Sequence, residues 1–243
     1  MRSGIGQRGG GSAGAALLES PYAAALASEE RLGRRLVVST ASDTRRVLGT
    51  IGLAGVAGWI AIVVALHFIK SDLDPIDIYI SDYAIGENGW LMRLAFYLVA
   101  AGTLAIAAGW ATSVQRTRRA MIAILLLVVV GMGFIVAGTF TTDPTDATET
   151  TTEGGLHLLG ALMIFPVMVA ASFVLRGVFR REARWQPFAE RVRWFPWVLL
   201  AGFFVSFFAP ALPAGLSQRI YAAILMAWLA TLAWELRSAQ PSS

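Results

Sequence analysis

The chain has 243 residues, of which 56% are apolar and 15% are charged, and its formal net charge is +4. Soluble domains carry roughly 25% charged residues, so this composition indicates a membrane protein rather than a soluble domain. The chain contains no cysteine, which excludes disulfide bridges, thiolate metal sites and a cysteine nucleophile.

A tail, residues 1–46, precedes the first long apolar stretch. Residues 1–14 are rich in Gly, Ser and Arg, which is typical of disordered chain, and residues 15–36 predict a helix interrupted near Pro21. Glu19 and Pro21 break the only apolar run of the tail. We therefore expect no cleaved signal peptide, and we predict that the first span acts as an uncleaved anchor.

Six apolar stretches follow, and each is about as long as the roughly 20 residues that a helix needs to cross a bilayer. The sequence therefore predicts an all-α fold, a polytopic transmembrane bundle of six helices over residues 47–238, with a short C-terminal tail, 239–243. The predicted spans are Val47–Ile69, Trp90–Thr112, Ala120–Phe140, Leu156–Val178, Trp194–Pro213 and Leu216–Leu236.

Between the fourth and fifth spans, arginines alternate with Trp185, Phe188 and Val192. Apolar side chains interleaved with basic ones are typical of a helix lying in the membrane interface. We therefore predict a short interfacial helix in this connection.

Charged residues are divided unevenly between the two sides of the predicted bundle. Of the 20 basic residues, 17 lie on one side: in the tail, in or beside the connections between spans two and three and between spans four and five, and at the C-terminus. The other side holds nine of the 16 acidic residues. Because basic segments stay in the cytoplasm, we expect both termini to be cytoplasmic and the protein to lie in the plasma membrane. Basic segments also suit anionic lipid, and no nucleic acid is expected because no nucleic-acid-binding motif accompanies the arginines.

Glycines recur every three residues in the first span, at Gly49, Gly52, Gly55 and Gly58. Small residues let helix backbones approach closely in lipid. We expect these faces to pack within the bundle, although they also suit contact with a second copy of the chain or with another membrane protein.

Three polar residues on the acidic side of the bundle lie at a similar depth. Asp143 follows the third span, while His157 and Arg219 lie about one turn inside the fourth and sixth spans. Because polar groups need partners in or near lipid, we predict that the three form one cluster. Binding of a lipid headgroup through Arg219 and nearby helix N-termini is one interpretation, and a structural interhelical contact is the other.

The same side supplies the side chains of a Ser–His–Asp constellation. Ser81 and His157 would combine with Asp143 or Asp82, but no Gly-x-Ser-x-Gly elbow surrounds Ser81, which also suits a turn or a helix cap. The chain has two histidines, His67 and His157, without the spacing of metal ligands. We therefore expect no bound metal and no cofactor.

Four short motifs stand out near the ends of the predicted spans. They are Ile80-Ser81-Asp82-Tyr83, Thr142-Asp143-Pro144, Gly155-Leu156-His157 and Ser217-Gln218-Arg219-Ile220. Together they resemble the prokaryotic membrane family known as Domain of Unknown Function 998, over roughly Val47 to Leu236. The resemblance implies six spans but no activity, and it maps the family's Ser-Asp, Asp-Pro, His and Arg positions onto Ser81, Asp82, Asp143, Pro144, His157 and Arg219. A looser similarity to eukaryotic six-span families linked to autophagy modulation and lipid-anchor remodelling favours a lipid-related role.

Three functions remain in competition. The favoured hypothesis is a non-catalytic integral membrane protein whose polar vestibule, outside the cytoplasm, binds a lipid headgroup or a partner. The alternative is a lipid-modifying, hydrolase-like enzyme that uses Ser81, Asp143 and His157. A small-solute transporter comes third, because transporters typically show internal repeats and polar groups near mid-membrane, and this sequence has no convincing repeat.

Overall fold

A computed structural model describes residues 21–208 and 212–239, with side chains from Ser42 onward. In that part of the chain all regular structure is helical, which confirms the all-α prediction, and two short 3-10 helices, Ile80–Ala84 and Ala183–Trp185, accompany the α-helices. The α-helices are α1 (Pro21–Ile69), α2 (Gly89–Ala111), α3 (Arg118–Thr139), α4 (Thr152–Phe179), α5 (Gln186–Arg191), α6 (Phe195–Phe208) and α7 (Ala214–Ser238).

The chain divides into two units, residues 1–40 and 41–243. In the first unit the described residues, 21–40, are helical and belong to α1, which begins at Pro21. The disorder predicted for residues 1–14 lies outside the described residues. All contacts discussed below belong to the second unit.

Five helices are long and apolar enough to cross a membrane, and they coincide with the first four and the sixth of the predicted spans. The predicted fifth span contains α6, and its residues 209–211 lie outside the described residues. Among the described residues, Ala183–Arg191 and Phe195–Phe208, which are bent by 42° at the break, make a sixth candidate span if the pair is counted as one. The five are Ser42–Ile69, Gly89–Ala111, Arg118–Thr139, Thr152–Phe179 and Ala214–Ser238.

Glycines allow the closest helix crossings, as the sequence predicted. Helix α3 packs along α2 and α4, and α7 contacts α6 and α2. A Cβ placed on Gly55 of α1 would lie 2.5 Å from the Leu98 carbonyl oxygen of α2, and one on Gly160 of α4 would lie 2.8 Å from the Ala137 backbone nitrogen of α3. Gly49, Gly52 and Gly58 likewise face α2 or α7. Packing of these faces within the bundle is therefore confirmed.

The short helix predicted between the fourth and fifth spans is present as α5, and aromatic rings at its start pack inside the protein. Trp185, just before α5, and Phe188 are buried against Trp110 and Phe179, and Trp185 Nε1 donates to the Ser113 carbonyl at 3.1 Å. The location of this helix in the membrane interface stays a prediction. We call this side of the bundle the basic end, because residues 176–193 contribute six arginines there.

Candidate functional site

The opposite side, which we call the acidic end, consists of the loops 70–88 and 140–151 and the first turns of α4 and α7. Hydrogen bonds tie the first loop to the second and to α7, so that all five residues of the 3-10 helix Ile80–Ala84 are buried. Ser81 therefore lies in a buried 3-10 turn of the first loop. The bonds run from Leu216 N to Ile76 O (2.9 Å), Tyr79 N to Thr145 Oγ1 (3.0 Å) and Ile80 N to Gln218 Oε1 (2.6 Å).

Lys70 closes the first loop. It is buried, and its ammonium donates to the carbonyl oxygens of Tyr83 at 3.3 Å and Ile85 at 2.5 Å. The chain then turns at Gly86, whose φ of 70° lies in the left-handed region that glycine adopts without strain. Lys70 therefore stabilises the backbone that carries Ser81.

Asp82 is a buried carboxylate that connects the two loops. Its Oδ2 accepts hydrogen bonds from Thr145 N at 3.0 Å and from Thr145 Oγ1 at 2.7 Å. Its Oδ1 is buried and has no hydrogen-bond partner in the part of the chain that the structure describes. Burial raises the pKa of Asp82, and the hydrogen bonds from Thr145 only partly oppose this effect.

Asp143 supports the start of α4. Its Oδ2 accepts from Thr151 N at 2.9 Å and its Oδ1 accepts from Thr151 Oγ1 at 2.6 Å. The Thr151 hydroxyl in turn accepts from Gly154 N at 3.0 Å and caps the helix. Asp143 thereby places a negative charge at the positive end of the helix dipole, which explains its position without a ligand.

His157 lies one turn further along α4 and is buried. Its Nδ1 is 3.0 Å from two backbone carbonyl oxygens, those of Ala137 and Phe140. Because carbonyl oxygens only accept hydrogen bonds, we assign the ring proton to Nδ1, which leaves Nε2 as an acceptor. The two carbonyls, which come from the end of α3, fix the orientation of the ring.

Arg219 forms hydrogen bonds only with neutral groups. Nε donates to His67 Nε2 at 3.3 Å, Nη1 donates to the carbonyl oxygens of Ile78 and Gly215 at 2.7 and 3.2 Å, and Nη2 donates to the Tyr83 hydroxyl at 3.2 Å. Among the described residues no carboxylate pairs with Arg219, and the ion pair found there, Arg191 with Glu235, belongs to the basic end. The positive charge of this half-buried guanidinium is therefore not compensated by a neighbouring anion.

A small cavity of about 50 Å³ lies beneath these loops, and Ser81, His157 and Gln218 are the polar residues among those that line it. Neither Ser81 Oγ nor His157 Nε2 has a hydrogen-bond partner among the residues that the structure describes. Asp143 does not line the cavity. The other lining residues are Trp59, Ile80, Phe96, Phe134, Ala137, Ala161, Ile164, Phe165, Ala222, Leu225 and Met226.

An apolar groove of about 370 Å³ runs between α1 and α7, and Arg219 is the one charged residue among the described residues that line it. The α7 side is built mainly from alanines, whose small side chains leave space beside the larger residues of α1. We call it the α1–α7 groove. Its lining is Val56, Trp59, Ile60, Val63, Val64, Ile80, Arg219, Ala222, Ala223, Met226, Ala227 and Ala230.

A family model matches residues 53–235, which include the whole acidic end, the cavity and the α1–α7 groove. The family is described as "Protein of unknown function (DUF998)". The chain belongs to this family. No curated protein and no solved structure matches the chain.

In this DUF998 protein the predicted binding residues do not form one directly bonded cluster. Asp143 accepts from Thr151, which caps α4, whereas His157 lies near the start of α4 and contacts the end of α3. Arg219 is bonded instead to the first loop, to its own helix and to His67. Among the described residues no hydrogen bond joins Arg219 to Asp143 or to His157.

The candidate catalytic residues are likewise only partly brought together. Ser81 and His157 line the same cavity, whereas Asp143 and Asp82 are engaged by Thr151 and Thr145. In the ranges described, no group of three His, Cys, Asp or Glu side chains could hold a metal ion.

Sequence reasoning missed Tyr83 and Gln218, the residues that contact Arg219 and the Ser81 segment. Both belong to the motifs that carry the family resemblance. Gln218 lies in the first turn of a predicted span, where a polar side chain needs a partner, so its position was a usable signal.

Proposed function

We propose that this DUF998 protein binds a membrane lipid with an anionic headgroup in the α1–α7 groove. The observation that carries the proposal is the placement of Arg219, a guanidinium without a carboxylate partner, in an otherwise apolar groove between two membrane-spanning helices. A groove on such helices is suited to an acyl chain, and the cation beside it is suited to a phosphate.

Arg219 retains capacity for a ligand. A guanidinium has five N–H donors, and the described hydrogen bonds engage four of them. The remaining Nη2–H and the uncompensated charge are available to a headgroup oxygen. Hydrogen bonds to charged groups contribute about 1.5–3 kcal/mol, so loss of Arg219 should weaken binding by roughly tenfold to hundredfold.

The groove opens toward lipid on its flanks. Ile60 and Val64 of α1 are 44% and 52% exposed, which suits side chains that contact acyl chains. We further propose that the acidic end lies outside the cytoplasm and that the protein resides in the plasma membrane. The distribution of arginines toward the basic end supports this orientation. The lipid would then come from the outer leaflet.

The proposal can be tested by native mass spectrometry of the protein released from nanodiscs that contain equal amounts of phosphatidylglycerol and phosphatidylcholine. The wild-type protein is expected to retain phosphatidylglycerol preferentially, and Arg219→Gln to lose that preference. Arg93→Gln is the matched control, because Arg93 is also basic and donates from the start of α2 to Thr141 Oγ1 of the acidic end, but does not line the groove. Equal retention of both lipids by the wild type, or an unchanged preference in Arg219→Gln, would overturn the proposal.

The groove itself can be tested separately from the charge. Ala227→Phe would fill the groove with a ring while leaving Arg219 in place, and it should reduce retention of lipid with either headgroup. Ala108→Phe on the exposed face of α2 introduces the same ring outside the groove and should have no effect. If both variants retain lipid like the wild type, binding does not occur in the groove.

A further inference from the structure

A pocket of about 530 Å³ lies at the basic end, between the start of α3 and the end of α4. We call it the α3–α4 pocket. Among the described residues that line it, Arg118, Arg119 and Arg181 are basic and Glu182 is acidic. The pocket therefore combines a concentration of positive charge with an apolar wall. The other lining residues are Gln115, Thr117, Ile122, Val174 and Val178.

Direct contacts join the two sides of the α3–α4 pocket. Gln115 N, in the loop before α3, donates to Glu182 Oε1, in the turn after α4, at 2.9 Å. The Arg119 side chain lies against α4, because a Cβ placed on Gly177 would be 3.0 Å from Arg119 Nη1. Arg181 continues the last turn of α4, since its N–H donates to the Val178 carbonyl at 3.0 Å. The arginine from α3 is thus packed beside the turn that carries the arginine from α4.

The positive charge of the pocket is not compensated. No ion pair or hydrogen bond joins the guanidinium groups of Arg118, Arg119 and Arg181 to a residue in the described ranges. Glu182 is the one carboxylate among the described lining residues, and its Oε1 already accepts from Gln115 N. Three cations and one anion leave a net charge of +2 around the pocket.

The start of α3 adds to this unfavourable concentration of charge. Arg118 and Arg119 are its first two residues, and its first turn contains no acidic residue. Because a helix N-terminus carries a partial positive charge, cations there are destabilising and an anion is stabilising. An anion in the pocket would therefore offset both the mutual repulsion of the arginines and their repulsion by the helix.

The apolar wall favours a lipid over a soluble anion. Ile122 belongs to α3 and Val174 to α4, and both helices are long and apolar enough to cross a membrane. Ile122 is 44% exposed, so its side chain is available to an acyl chain. A phospholipid at the ends of these two helices would place phosphate beside the arginines and an acyl chain along the apolar wall. A soluble anion would leave that wall without a partner.

We infer that the α3–α4 pocket binds the headgroup of a phospholipid that carries two negative charges. Two phosphates match the net charge of the pocket, and guanidinium groups bind phosphate oxygens through charge-assisted hydrogen bonds. This site is separate from the α1–α7 groove and lies at the opposite end of the bundle. In the orientation proposed above, its lipid belongs to the cytoplasmic leaflet. Phosphatidylglycerol carries one charge, and we expect this pocket to lose it when the protein is released from nanodiscs.

The inference can be tested by titrating cardiolipin, which has two phosphates, into full-length Arg219→Gln in detergent and counting bound lipid by native mass spectrometry. Arg219→Gln removes the charge of the groove, so the remaining binding reports on the α3–α4 pocket. Cardiolipin is expected to bind at least about tenfold more tightly than phosphatidylglycerol, because an additional charged hydrogen bond forms. Adding Arg118→Gln or Arg181→Gln, from the two sides of the pocket, should each weaken cardiolipin binding about tenfold or more.

Matched controls exist beside both arginines. Arg116 and Arg180 are also exposed, but neither lines the α3–α4 pocket. Arg116→Gln and Arg180→Gln remove the same charge and should leave cardiolipin binding unchanged. In the wild-type background, Arg181→Gln should reduce the number of tightly bound cardiolipin molecules by one, which provides the measurement if Arg219→Gln does not fold.

Glu182→Gln gives a prediction of opposite sign. Glutamine keeps an acceptor for Gln115 N, but the substitution raises the net charge of the pocket from +2 to +3. Cardiolipin should therefore bind about threefold more tightly. A residue that only supported the loop would not strengthen binding when replaced, so weaker or unchanged binding contradicts the inference.

Three further results would overturn the inference. Equal affinity for cardiolipin and phosphatidylglycerol would exclude recognition of two charges. Equal losses in Arg181→Gln and Arg180→Gln would assign binding to the general charge of the basic end. Displacement of cardiolipin by an equal concentration of pyrophosphate would identify a soluble-anion site. Each result leaves the groove untouched, because Arg219→Gln and phosphatidylglycerol test that site separately.

Discussion

Replacing Gly55 by alanine tests the crossing of α1 and α2, which positions one wall of the groove. The added Cβ would lie 2.5 Å from the Leu98 carbonyl oxygen and 2.9 Å from Gly102 Cα. Both atoms are backbone, so the helices would have to separate by about 0.9 Å to restore ordinary contact. Overpacking costs about 1–3 kcal/mol, and the better helix propensity of alanine offsets at most about 1 kcal/mol. We expect a net loss of about 1–2 kcal/mol, which lowers the Tm by roughly 2–8 °C.

Gly58→Ala provides the matched control on the same helix. The nearest atom to its added Cβ is Leu98 Cδ1 at 2.9 Å, the end of a flexible side chain that can rotate away. Here the gain in helix propensity should cancel most of the cost, so the Tm should change by less than about 2 °C. Thermal unfolding of both variants in one detergent, followed by tryptophan fluorescence, makes the comparison. Identical melting of the two variants would refute the argument that backbone contact sets the crossing distance.

Three further predictions concern the acidic end. A cysteine at position 146 (Asp146→Cys) should react with a membrane-impermeant maleimide in intact cells, and one at position 118 (Arg118→Cys) should not; the reverse pattern would contradict the orientation. Because burial raises the native pKa of Asp82 above its ordinary 3.8, the contribution of Asp82 to stability should be fully present below that value and be lost as the pH rises through the native pKa. Melting curves of Asp82→Asn should lack this part of the pH dependence, and equal slopes for wild type and variant would exclude Asp82 as its source. Tyr83→Phe removes one hydrogen bond from Arg219 but leaves its charge, so it should lower the Tm slightly without changing the lipid preference.

The helices could be predicted because their signal is local. Runs of apolar residues located five of the spans, and the glycine repeat of α1 identified the face that packs against α2 and α7. The fifth predicted span corresponds to part of a bent pair of helices, and a run of apolar residues does not show where a helix bends. Arg193 and Trp194 lie in the break between α5 and α6. Before the break, Trp185 and Phe188 pack against the buried Trp110.

The site could be predicted only in part, because its contacts join segments that are far apart in sequence. Ser81, His157 and Arg219 were recognised as polar groups near lipid, but their partners were not. Arg219 and His67 are 152 residues apart, and Gln218 and Ile80 are 138 residues apart. The Asp143–Thr151 contact spans only eight residues and involves a capping threonine, so it was within reach of sequence reasoning.

The interpretations of Arg219 as a structural residue and as a binding residue are compatible, because they use different properties of the same side chain. The N–H groups of the planar guanidinium donate to the carbonyl oxygens of Ile78 and Gly215, to His67 Nε2 and to the Tyr83 hydroxyl. These hydrogen bonds stabilise the loop that carries Ser81. The charge also contributes to a cation–π contact, because Arg219 Cζ lies 5.6 Å from the centre of the Tyr83 ring, but none of the partners carries a compensating negative charge. Arg219→Lys retains the charge but cannot reproduce the fork, whereas Arg219→Gln loses both. A lipid preference that survives in the lysine variant, accompanied by a lower Tm, would therefore assign binding to the charge and loop stability to the geometry of the donors.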